Sequence, residues 1–121
     1  MATKTTNKLL KDLDNKDVDI RYAAAYHSNA TPEVLLKALE DDDAGVREAA
    51  AYHSNATPEV LLKAMEDENE WVRYAAADHP NATPEVLLKA MRDRWNDVRD
   101  AAEANLESKK LRIKISVEKV K

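Results

Sequence analysis

Apolar positions along the chain alternate between two patterns, both of helical period. In the first, Val34, Leu35, Ala38 and Leu39 follow the spacing of one helix face, and Leu36 widens it. Thr31 is an N-cap residue type, Pro32 suits the first helical position, and Glu33 belongs in the first turn. Glu33 and Lys37 are spaced for an i,i+4 ion pair. In the second pattern Val46, Ala49, Ala50 and His53 recur at i, i+3, i+4 and i+7, with Asp43 as the cap and alanines that permit close helix approach. The stretch His53-Ser54-Asn55-Ala56-Thr57 reads as a turn, with Asn55 suited to the left-handed conformation that ends a helix.

This unit repeats. Residues 27–41 recur as 53–67 with Met65 for Leu39, and as 79–93 with Pro80 and Arg92 as further changes, both at an offset of 26. Arg21, Arg47, Arg73 and Arg99 keep the same step, as do Ile20, Val46, Val72 and Val98. Leu9, Leu10 and Leu13 stand in register with Leu35, Leu36 and Leu39. A fixed period of this length predicts a solenoid. The expected fold is all-α: a partial N-terminal repeat, then two-helix repeats starting near 17, 43, 69 and 95. The solenoid is expected over residues 1–107, with a basic tail over 108–121.

The pattern Val-Arg-x-x-Ala-Ala-x-His-Pro-Asn-Ala-Thr-Pro-Glu-x-Leu-Leu-x-x-Met-x-Asp across residues 72–93 resembles the leucine-rich repeat variant family. It is also similar to short HEAT-like repeats, whose Asp…Val-Arg element matches Asp41…Val46-Arg47. The resemblance spans roughly residues 5–105. It implies a right-handed superhelix of alternating α and short, often 3₁₀, helices, and a binding role without shared catalytic residues.

Composition narrows the chemistry. The chain of 121 residues has one glycine, Gly45, and no cysteine. A phosphate-cradling glycine loop, disulfides, thiolate nucleophiles and cysteine metal sites are therefore excluded. No apolar run reaches the roughly 18 residues of a membrane span, and Met1–Asn7 lacks the apolar core of a signal peptide, so a cytoplasmic protein is expected. Residues 1–91 carry 10 basic against 17 acidic groups, whereas residues 92–121 carry 9 against 6. The acidic body disfavours nucleic acid; only the basic end suits an acidic partner.

Most recurring polar residues read as structure. Asp41, Asp67 and Asp93 are expected to accept from the backbone of the next helix, with Arg47, Arg73 and Arg99 bridging repeats. His27, His53 and His79 form a single column at helix-packing separations of about 8–10 Å, too far apart to share one metal ion. The serines lack a nucleophile motif, and the acidic run Asp41-Asp42-Asp43 reads as a solvated connection. No catalytic residue, cofactor or metal site is expected.

Positions where near-identical repeats disagree say more. Column 19/45/71/97 reads Asp, Gly, Trp, Asp, and column 17/43/69/95 reads Asp, Asp, Asn, Trp. Arg92 and Arg94 replace acids found at 40, 66, 42 and 68. Aromatic and arginine side chains typify interface anchors. Trp71, Trp95, Arg92 and Arg94, together with Tyr74, are thus the candidate partner site, on connections expected to be exposed. Alternatively the tail folds back over both tryptophans. Within that tail Leu111, Ile113, Ile115 and Val117 alternate with Arg112, Lys114 and Ser116, which reads as an extended strand, with a helix that closes the stack or a disordered segment as the alternatives. An unpaired strand seeks a partner, most simply a second copy in a weak homodimer. The functional expectation is a non-catalytic protein-interaction scaffold. The alternatives are an accessory subunit of an enzyme complex or a nucleic-acid-associated module using the basic end.

Overall fold

The computed structural model describes the backbone of residues 3–120 and the side chains of residues 3–110. It is all-helical: α1 (Lys4–Asp12), α2 (Val18–Tyr26), α3 (Pro32–Ala38), α4 (Ala44–Tyr52), α5 (Pro58–Ala64), α6 (Glu70–Asp78), α7 (Pro84–Ala90) and α8 (Asn96–Val120). Helices α2, α4, α6 and α8 pack in succession as one layer, and α1, α3, α5 and α7 as the other. Each helix also packs on its chain neighbours, so every contact runs to adjacent elements.

Local chemistry sets the helix starts. Thr31, Thr57 and Thr83 cap α3, α5 and α7, each followed by proline at the first helical position. Asp17, Asp43 and Asn69 cap α2, α4 and α6. Between the layers, Leu35, Leu61 and Leu87 are buried with Val46, Val72 and Val98 and the alanines of α4 and α6. Each such leucine contributes about 1.5–3 kcal/mol by burial. The ends of the stack are less covered. Ile20 is exposed where Val46, Val72 and Val98 are fully buried, because α2 is first in its layer. Leu88 on α7, the last described helix of the other layer, and Met91 at its C-cap are exposed.

Polar columns stitch each unit to the one before. Arg47 Nε donates to Asp67 Oδ2 (2.9 Å) and Arg73 Nε to Asp93 Oδ2 (2.8 Å), while their Nη1 atoms donate to the carbonyls of residues 41 and 42 and of 67 and 68. Asp67 and Asp93 also accept from the amides of Asn69 and Trp95 (2.9 Å each), as expected for an acid that organises the next helix start. The Nε2 atoms of His53 and His79 lie 2.7 and 2.8 Å from the carbonyl oxygens of His27 and His53. Their Nδ1 atoms accept from Asn55 and Asn81 amides, so Nε2 carries the proton and donates. Among the described residues no buried side-chain nitrogen or oxygen lacks a partner.

Several expectations are corrected. No non-glycine residue has positive φ among the described residues, so Asn55 does not adopt a left-handed conformation. Its side chain instead donates to the carbonyls of Ser28 (3.3 Å) and Ala30 (2.9 Å), tying two turns together. Lys37 turns from Glu33 to the Leu10 carbonyl (2.8 Å) and Asp14 (3.0 Å), where it satisfies an orphan carbonyl at the end of α1. The tail is not a strand. α8 continues through residues 111–117 to Val120 without a break at 107–108. Continuing the helix satisfies backbone groups within the segment, which a lone strand cannot, and outweighs the few tenths of a kcal/mol that each β-branched residue costs. Spacings Leu111/Ile115 and Ile113/Val117 are also i,i+4, so helical and alternating patterns coincide here. The tail strand that motivated a homodimer is absent.

Candidate functional site

All six aromatic residues of the chain lie in the α2–α4–α6–α8 layer, and none belongs to the buried core. Tyr22 and Tyr26 are on α2, Tyr52 on α4, Trp71 and Tyr74 on α6, and Trp95 immediately precedes α8. The inner faces of these helices are filled by Ala and Val, whose small size lets backbones approach and turns larger side chains outward.

Toward the C-terminal end, Trp71 packs edge-on against Trp95 with ring centroids 4.8 Å apart, and against Tyr74 at 5.9 Å. Both are within the range of favourable aromatic pairs. Trp71 remains 47% exposed. The sequence pattern places it on a connection, as it does Trp95, but it lies within the first turn of α6, because Asn69 caps the helix two residues earlier. Trp95 is half-buried against the core and occupies the position at which Asp17, Asp43 and Asn69 cap their helices. An indole supplies no capping oxygen, a sacrifice of about 1 kcal/mol in helix stability. Beside the pair, Trp71, Tyr74, Asp78, Asp97 and Asp100 line a shallow depression of about 500 Å³.

Arg92 and Arg94 belong elsewhere. They line a separate depression with Glu66, Lys89 and Asp93. Position 92 has a structural reason to differ: Glu40 and Glu66 pair with Lys63 and Lys89 of the following unit. The next lysine position is Ile115, so an acid at 92 has no such partner there. Burial pushes the pKa of Asp93 up, but hydrogen bonds from Arg73 and the Trp95 amide, with the charges of Arg73 and Arg94, outweigh it and hold this carboxyl below its usual range.

Sequence comparison of columns missed Tyr22, Tyr26 and Tyr52. Tyr26 and Tyr52 agree between repeats and so pass for scaffold. They line a larger depression, about 610 Å³, between α2 and α4. A usable signal existed: no tyrosine falls in the apolar columns that form the core.

No protein-family model matches the chain, and no curated protein is found to be similar. No helix among the described residues is long and apolar enough to cross a membrane.

Proposed function

We propose that the chain is a non-catalytic protein-interaction scaffold, a right-handed α-solenoid of 26-residue two-helix repeats like the leucine-rich repeat variant and short HEAT-like repeats. The partner docks on the outer face of α6 and α8, with Trp71, Trp95 and Tyr74 as anchors. One observation carries this reading. Trp95 stands where three sister helices have a capping Asp or Asn, and its ring meets a Trp71 that stays half in solvent. Local stability argues for Asp or Asn at position 95, so the aromatic pair answers to something other than the fold.

Trp71→Asp tests it. Sister positions hold Asp19 and Asp97, and an acid in the first turn of α6 suits the helix dipole. The substitution is therefore expected to change unfolding free energy by less than about 1 kcal/mol, the scale of a surface change. With immobilised chains in extract from the source cells, wild type is expected to retain a protein that Trp71→Asp loses and Leu88→Asp keeps. Equal retention by wild type and Trp71→Asp contradicts the docking site. A stability loss above about 3 kcal/mol contradicts the surface role of Trp71.

A further inference from the structure

The depression between α2 and α4 is built unlike the rest of the surface. Tyr22 and Tyr26 are one turn apart on α2, and Glu48 and Tyr52 are one turn apart on the adjacent α4. These four side chains rim the depression, with Gly45 and Ala49 also contributing to its lining. The Tyr22 and Tyr26 rings are stacked, 5.9 Å apart and inclined by 12°. The three tyrosines are 45%, 69% and 46% exposed in chain order. Glu48 is the one acidic residue of the lining, which contains no lysine or arginine.

Gly45 shapes the same wall. It is the chain's only glycine, it lies inside the first turn of α4, and its φ is not positive. Conformational freedom is thus not its reason, and a glycine within a helix costs about 1 kcal/mol relative to alanine. The equivalent positions hold Asp19, Trp71 and Asp97, each of which projects a side chain. At position 45 a Cβ would stand 2.9 Å from Asp43 Oδ1, the oxygen that caps α4 through the Val46 amide, so the missing side chain makes room for the cap and also leaves the wall beside the tyrosines open.

We infer that this tyrosine-walled pocket binds an organic cation, an alkylammonium or guanidinium head, through the ring faces of Tyr22, Tyr26 and Tyr52 and the carboxylate of Glu48. Aromatic faces attract cations by their quadrupole, most strongly where water is partly excluded. A carboxylate at the rim adds Coulomb attraction and discriminates against neutral ligands of the same shape. The pocket volume of about 610 Å³ lies within the ordinary range for ligand sites. The Tyr52 hydroxyl is held protonated to higher pH than usual, by burial and then by the negative charge of Glu48, so its ring stays neutral beside the carboxylate. The same head group occurs on free small molecules and on lysine or arginine side chains of a protein.

The test titrates the full chain, followed by tyrosine-ring NMR shifts, with three probes: choline, its uncharged carbon isostere 3,3-dimethyl-1-butanol, and N-acetyl-arginine amide. At least one of the two cations is expected to shift the tyrosine resonances at concentrations about fivefold or more below those the alcohol requires. Stronger binding of choline assigns the site to free cations, and stronger binding of the arginine derivative assigns it to a protein side chain. Tyr52→Ala and Glu48→Gln are each expected to weaken cation binding by about threefold or more, while Trp71→Asp leaves it unchanged. The pocket thus stands or falls apart from the Trp71 docking site. Equal potency of the alcohol and the cations, or cation shifts unaffected by both pocket variants, overturns the inference.

Discussion

Replacing Arg73 with alanine is expected to lower the unfolding free energy by about 3–5 kcal/mol at neutral pH, the cost of breaking a buried ion pair by removing one partner. Arg73 is 5% exposed, and its side chain joins Asp93 at 2.8 Å while also serving the carbonyls of Asp67 and Glu68. Without it, Asp93 keeps a charge in a site where its side chain is only 7% exposed. The column offers internal controls. Side-chain exposure rises from 6% at Arg73 through 11% at Arg47 to 18% at Arg21, so the costs should fall in that order. The acid response follows from the lowered pKa of Asp93 in the folded protein. Its contribution is complete above the unfolded carboxylate value, about 3.9, and is lost as pH falls through the lower folded value. The gap between wild type and Arg73→Ala should therefore shrink on acidification. Urea unfolding of both proteins at neutral and acidic pH checks this, and a small, pH-independent gap would contradict it.

Leu61→Ala is expected to cost about 2–5 kcal/mol, whereas Leu88→Ala should cost less than about 1 kcal/mol. Leu61 is fully buried between layers, flanked on both sides by equivalent helices α3 and α7. Leu88 is 59% exposed, although Leu36 and Leu62, its counterparts in earlier units, are half-buried against the core. The difference is one of place in the stack, since α7 has no successor in its layer. Thermal or denaturant melts of the two variants measure it; equal losses would mean that the ends are packed as tightly as the middle.

Much of this was legible in the chain because the same physics acts in every unit. Thr-Pro caps, the Leu35 column and the Asp–Arg step each recur with identical residues, so a periodic reading places helices and core together. Asn55 and Lys37 misled because their real partners lie in the preceding unit, 23 to 27 residues away, beyond any local rule. The tail misled because Leu111, Ile113, Ile115 and Val117 satisfy period two and an i,i+4 helix alike; the deciding factor was continuity with α8, which alternation does not encode. Comparison of columns singled out Trp71 and Trp95 through their disagreement with sister repeats, and their rings are in contact. It passed over Tyr26 and Tyr52, which agree, and it drew in Arg92, whose difference reflects the end of the Lys–Glu column.

The central claim is that each unit is held to its predecessor by the same columns, so that units are interchangeable. Deleting residues 53–78 tests it most directly. The deletion joins Tyr52 to His79 in phase, so α8 meets α4 in place of α6. Arg47 then faces Asp93 as it now faces Asp67, and Asn81 takes the carbonyls of Ser28 and Ala30 as Asn55 now does. Circular dichroism should show the same helicity per residue and one cooperative melt. A random-coil spectrum would contradict the claim.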